Sequence, residues 1–225
     1  MRVVVYAEGV GERAGELTLP PPPGYRLSEE HLGSVHVLVR RAMSVGGPLP
    51  EAAICFDSGL RTRAGREPRG SDLHHTETLR RLLSWPRPEL RPDLAVIVID
   101  EDEDHGRESQ LEHTTADIPV PHVIVAAVHE FEAWLVADTK SLRTALELDV
   151  STTKDPESMP RGESKVTLAD WIARAKKATL PGSDSRLIRR SIAAHCNLDE
   201  VAKRCPSFDR LVRKLAAVNA RLTNR

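Results

Sequence analysis

Four stretches of the chain are continuous apolar runs of strand length, and the segments between them are amphipathic or polar. Arg2–Ala7 (RVVVYA) is short, β-branched and stopped by Glu8-Gly9. Ala52–Phe56 (AAICF) is stopped by Asp57-Ser58-Gly59, and Leu94–Ile99 (LAVIVI) runs straight into the acidic segment Asp100–Asp104. His122–Val128 (HVIVAAV) leads directly into EFEAWLVAD, which predicts a helix from near Glu130. Short runs without alternation are the pattern of strands buried on both faces.

Helical spacing fills the gaps. Ser28 can cap a helix with Glu29 and Glu30 in its first turn, and Leu32, Val35, His36, Val39 and Met43 continue the period until Gly46, Gly47 and Pro48. Leu73, Leu79, Leu82 and Leu83 predict a helix over about 72–84. A polar helix or loop separates the third and fourth strands. Beyond residue 139, Leu142–Leu148, Lys165–Ala178, Arg186–Ala194 and Phe208–Leu222 read as helices and no stretch reads as a strand. The expected architecture is α/β: a Rossmann-like sheet of about four mostly parallel strands flanked by helices, with a helical C-terminal extension. The expected division is an α/β catalytic domain over 1–138 and a basic helical region over 139–225, with Pro156–Gly162 the most linker-like stretch. Four consecutive prolines, Pro20–Pro23, favour an extended segment after the first strand.

Charge is distributed unevenly. The formal net charge of the 225-residue chain is -1, yet residues 161–225 hold 15 Lys/Arg against 6 Asp/Glu, and residues 1–160 hold 17 against 27. An acidic body carries a basic C-terminal third, which reads either as a surface for a phosphate backbone or as solvated helical faces. No apolar run approaches the roughly 18 residues of a membrane span, and the N-terminal apolar run is short and turns acidic at once. A cytoplasmic protein with no membrane partner is expected. Cys55, Cys196 and Cys205 form no CxxC pair and read as free thiols, and with His195 they fall short of a four-ligand zinc site.

In parallel sheets the chemistry gathers at the carboxyl ends of the strands. Here those ends carry Glu8, then Asp100, Asp102 and Asp104, then His129, Glu130 and Glu132. Clustered carboxylates repel one another unless a cation stands among them, and oxygen ligands suit Mg2+ or Mn2+ better than zinc. In an extended segment Asp100 and Asp102 point the same way, and Asp104 joins them if the extension continues. A carboxylate free of metal then serves as general acid or base. The other reading of the acidic segment is a solvated loop. Glu132 either extends the metal site or caps its helix. His129 and His105 have catalytic and structural readings, whereas His74-His75 opens a predicted helix and reads as surface. In the loop Gly59–Gly70, Arg61, Arg63, Arg66 and Arg69 either grip a phosphate backbone or are merely mobile. Aromatic residues make up 4% of the chain, too few for a base-stacking platform, and no Walker-type glycine loop is present.

Glu8 in YAEG and Asp100/Asp102 in VIVIDEDED resemble the Toprim superfamily, which has a glutamate after its first strand and Asp-x-Asp after its third. VHEFEAWLVAD (128–138) and IAAHCNLDEVAKRCPSFDRLVRKL (192–215) resemble domain of unknown function family 4276, a Toprim-like bacterial family. The resemblance implies a Mg2+-dependent nuclease cleaving phosphodiester bonds of DNA or RNA, associated with a partner ATPase in phage defence. It makes Glu8 the catalytic acid or base and Asp100 and Asp102 metal ligands; the residue reading adds Asp104 as a ligand, Glu132 as a further catalytic carboxylate, and Arg61, Arg63, Arg66 and Arg69 as contacts to nucleic acid. The family's Gly-x-Thr-Glu after the first strand is here Gly9-Val10-Gly11-Glu12, without the threonine. The alternative function is a non-catalytic partner or regulator of an ATPase, with a degenerate acidic site.

Overall fold

Within the strands, successive side chains must face opposite sides of the sheet, and both sides here are apolar. In the computed structural model, which describes residues 1–45, 49–151 and 155–223, four strands form one parallel sheet in the order β2-β1-β3-β4. They are β1 (Arg2–Ala7), β2 (Cys55–Phe56), β3 (Leu94–Asp100) and β4 (His122–Ala127). β1 pairs with β3 from Val3↔Leu94 to Ala7↔Val98, and β3 with β4 from Ala95↔His122 to Asp100↔Ala127. The expected parallel α/β sheet with a helical C-terminal region is the observed one.

One face buries Val3, Val5, Val96, Val98, Val123 and Val125. α2 (Ser34–Val45) and α10 (Pro206–Thr223) pack against it, and α5 (Glu132–Val136), α6 (Thr139–Leu146), α7 (Glu163–Ala178), α8 (Ser185–His195) and α9 (Leu198–Arg204) extend the same apolar cluster. The other face buries Val4, Tyr6, Ile97, Ile99 and Ile124 beneath α3 (Thr76–Leu83) and α4 (Arg107–Thr115), through Leu79, Leu82, Leu83 and Leu111. Truncating any one of these buried leucines to alanine costs about 2–5 kcal/mol. No helix among the described residues is long and apolar enough to cross a membrane.

Several boundaries differ from the sequence expectation. The second strand is shorter, because Glu51–Ala53 is a 3-10 turn. Ser28 does not cap a continuous helix; its hydroxyl pairs with His31 Nδ1 at 2.8 Å, and a 3-10 turn at Glu29–His31 precedes α2. The expected stop at Gly46–Pro48 lies outside the described residues. The helix expected from 72 is split into a 3-10 turn, Gly70–His74, and α3. Two short helices were not foreseen, α9 and α1 (Val10–Arg13). In the proline segment Tyr25 N–H closes a turn onto Pro22 O at 3.1 Å. Pro156 and Met159 of the linker-like stretch are buried, and Glu157 accepts the Ser207 N–H at 3.1 Å in the first turn of α10.

The basic C-terminal third is tied to the acidic body. Arg189 meets Glu132 at 2.7 Å, Arg210 meets Glu108 at 3.3 Å, and Lys214 meets Glu108 and Glu112 at 2.5 and 2.6 Å. Much of the charge asymmetry visible in the sequence is therefore used between elements. Along the outer side of β4, Ala126 N–H donates to Glu108 Oε2 at 2.8 Å, Arg210 donates to Ala126 O at 3.2 Å, and Lys214 donates to Ile124 O at 2.9 Å.

Candidate metal centre

The carboxyl ends of β1 and β3 lie side by side because the two strands pair in parallel register, and this brings Glu8 to Asp100. The Asp100 N–H donates to Glu8 Oε2 at 2.9 Å. His74 Nε2 lies 2.8 Å from the same oxygen. Glu8, His74 and Asp102 each offer a ligand atom, and these atoms all lie within 4.8 Å of one another. Each of the three is half-buried.

The chain turns sharply after β3. Asp102 has φ 51°, in the left-handed region that aspartate tolerates better than most residues. The extended geometry expected for Asp100-x-Asp102 is therefore broken, and the two carboxylates part. Asp100 turns inward, where Oδ1 accepts the Phe131 N–H at 2.9 Å. Asp102 turns outward to meet Arg161 at 2.8 Å and Arg107 at 3.3 Å. Asp104 lies outside the cluster: it accepts the Gly106 N–H at 3.1 Å and faces Arg107 Nε at 3.6 Å. His105 pairs with Glu101 at 3.1 Å.

Beneath this layer lies a second group of acids. Glu12 is 5% exposed and Glu132 2%. Burial, then the neighbouring charge of Glu132, pushes the Glu12 carboxyl up to about 7. Burial, then the charges of Glu12, Glu8 and Glu132, pushes Asp100 up to about 9 against the opposing Phe131 N–H. Glu8 behaves differently. Burial works to raise it, but the bonds from His74 and the Asp100 N–H, with the charges of His74 and Arg107, hold it below the usual carboxylate range. Glu132 is fixed by Arg189, and Glu130 accepts the Lys165 N–H at 2.6 Å in the first turn of α7. Gly9 makes room for Glu12, since a Cβ there would fall 2.1 Å from Glu12 Oε1.

The profile of the family described as Domain of unknown function (DUF4276) matches residues 69–216. The chain belongs to that family. The stretch shared with the DUF4276 family carries His74, Asp100, Asp102 and Glu132, while Glu8 and Glu12 precede it. No curated protein and no solved structure matches the DUF4276 chain.

Of the residues expected from sequence, Glu8 and Asp102 come together, Asp100 and Glu132 lie on the inner side, and Asp104 stands apart. His74 is the residue sequence reasoning missed, since it was read as surface. The arginine loop is exposed at Arg63, Arg66 and Arg69 and half-buried at Arg61. Arg63 meets Glu77 at 2.7 Å, Arg66 meets Asp72 at 2.5 Å, and Arg61 points to the Pro20 and Gly65 carbonyls.

The donor set fits a divalent cation. Mg2+ needs one or two protein carboxylates and keeps several waters. Glu8 and Asp102 meet that need, and Mn2+ also accepts the imidazole of His74.

Proposed function

We propose that this DUF4276 protein is a Toprim-like, divalent-cation-dependent nuclease acting on the phosphodiester bonds of nucleic acid. The observation that carries the reading is the meeting of Glu8, His74 and Asp102 at the carboxyl ends of neighbouring parallel strands. Mg2+ or Mn2+ would be held by Glu8 and Asp102, and when bound would neutralise charge developing on a phosphoryl oxygen. Glu8, held ionised, suits a ligand better than a proton donor. Proton transfer suits Glu12, whose carboxyl exchanges its proton near pH 7. Arg107 and Arg161 can exchange Asp102 for phosphate oxygens, which guanidinium groups bind in pairs. Arg61, Arg63, Arg66 and Arg69 of the loop would be the contacts for the nucleic-acid backbone. Exposed ion pairs such as Arg63–Glu77 contribute little to stability, so they yield readily to a phosphate.

The test is calorimetric titration with Mn2+, followed by cleavage assays on DNA and RNA with Mg2+ or Mn2+. Saturable binding and cleavage, both lost in Asp102→Asn, are expected. Cleavage that survives in chelator, or in Asp102→Asn, overturns the reading. The second reading is a non-catalytic partner of an ATPase. It is favoured by Arg107 and Arg161, whose guanidinium groups pair with Asp102 at 3.3 and 2.8 Å. Absence of both binding and cleavage, with stable co-purification of an ATPase, would establish it. A role in phage defence and a cytoplasmic location remain part of the proposal.

A further inference from the structure

We infer that His74 is a nitrogen ligand of the bound cation, and that the site therefore selects Mn2+ and the heavier transition-metal dications over Mg2+. The inference rests on the cation-dependent reading above and adds a choice of metal to it. The strand-end carboxylates alone describe an all-oxygen site suited to Mg2+. His74 comes instead from a turn between β2 and α3, 66 residues along the chain from Glu8.

That turn is built to hold the ring in place. Leu73 is fully buried among Leu79, Leu82 and Leu83, which locks the backbone beside His74 into the core. The Gly70 N–H donates to Glu8 O at 3.0 Å, joining the start of the turn to the backbone of the residue His74 meets. Gly70 has φ 51°, a conformation glycine adopts without a steric penalty. Asp72 accepts the Arg69 N–H at 2.9 Å and is gripped by both terminal nitrogens of Arg66, at 2.5 and 2.9 Å. Two arginines of the loop thus brace the turn that carries His74.

The imidazole meets the cluster through Nε2, the atom that ligates a metal once it carries no proton. Imidazole is a poor donor for Mg2+, an acceptable one for Mn2+ beside carboxylates, and a better one for Fe2+, Co2+ and Ni2+, with affinity rising in that order. Glu8 and Asp102 supply the oxygen donors common to both classes. The result is a mixed nitrogen–oxygen site on a braced backbone, which rewards an ion tolerant of both donors.

The experiment uses the full chain with Mn2+ and Mg2+ as probes. Calorimetry gives both affinities for the wild type, His74→Gln and Asp102→Asn. Electron spin-echo spectroscopy of the Mn2+-loaded wild type looks for imidazole nitrogen coupling, a readout that needs no variant to fold. Tighter Mn2+ than Mg2+ binding, nitrogen coupling, and a loss of Mn2+ affinity of about tenfold or more in His74→Gln with Mg2+ changed less, are expected. Mn2+ binding without nitrogen coupling, lost in Asp102→Asn but unchanged in His74→Gln, would overturn the inference and leave the cation-dependent reading standing. Nitrogen coupling that persists in His74→Gln also overturns it. No saturable binding of either ion overturns both.

Discussion

Glu12→Gln should stabilise the protein at neutral and alkaline pH and leave it nearly unchanged in acid. The carboxyl is almost wholly buried, and its affinity for a proton rises from the ordinary 4.5 to about 7. That change corresponds to about 3 kcal/mol, at about 1.4 kcal/mol for each tenfold in proton affinity. The sign follows from linkage. Below pH 4.5 the group is protonated in both the folded and the unfolded chain. Between 4.5 and about 7 the unfolded chain loses the proton while the folded chain keeps it, so stability falls as pH rises. Above about 7 the full cost is present. Glutamine resembles the protonated acid and keeps an oxygen for the Gly9 N–H, which donates to Glu12 Oε2 at 3.3 Å. The variant's advantage should therefore grow from near zero at pH 4.5 to about 3 kcal/mol at pH 8. Removing the Glu12 charge also relieves Asp100, an effect of the same sign. Urea denaturation across pH 4.5–8 measures the gap, which is about 1 M in midpoint if m is about 3 kcal/mol/M. A gap independent of pH, or absent throughout, would refute the argument that burial and the neighbouring acids hold the Glu12 proton.

The remaining predictions concern the elements around the site. Asp138 accepts the Lys140, Ser141 and Asn197 N–H groups at 3.1, 3.3 and 2.8 Å, so Asp138→Ala should destabilise the fold by about 2 kcal/mol in thermal denaturation. An unchanged midpoint would show that these donors find water instead. Ser207→Ala removes one acceptor of the buried Trp134 Nε1, at 2.7 Å, and a donor to Glu157, and should cost about 1–3 kcal/mol, with altered near-ultraviolet circular dichroism. Arg161→Ala removes a positive charge 2.8 Å from Asp102 and should tighten Mn2+ binding severalfold by calorimetry; weaker binding would count against competition between arginine and cation.

The sheet could be read from the sequence because a strand buried on both faces needs an unbroken apolar run, and VVVYA, LAVIVI and HVIVAAV supply it. The second strand blurred because Ala52 and Ala53 suit a tight turn as well as a strand. Glu8 and Asp102 were accessible through the rule that strand ends carry chemistry. The separation of Asp100 from Asp102 was not, because it turns on one residue adopting a left-handed backbone, which aspartate permits but does not demand. His74 was hidden for another reason. Its neighbours Asp72, Leu73 and Thr76 spell the start of an amphipathic helix, and nothing local records that this turn folds back against the first strand. The inner role of Glu12 was equally hidden: its motif lacks the threonine, and only the packing of Glu132 and Asp100 around it reveals the cluster.

A parallel sheet ends somewhere, and its last strand leaves a row of unspent donors and acceptors that another extended chain can copy. On β4 that row is met by Glu108, Arg210 and Lys214, so an incoming strand would have to expel a cation and an anion together before its first ladder bond could form. At the opposite margin the edge of β2 is already taken by the segment after the prolines: the Leu27 N–H donates to Phe56 O and the Ser58 N–H donates to Tyr25 O, both at 2.8 Å. Growth of the sheet by a visiting peptide or a second copy of the chain is thus blocked by charge on one margin and by the chain's own backbone on the other.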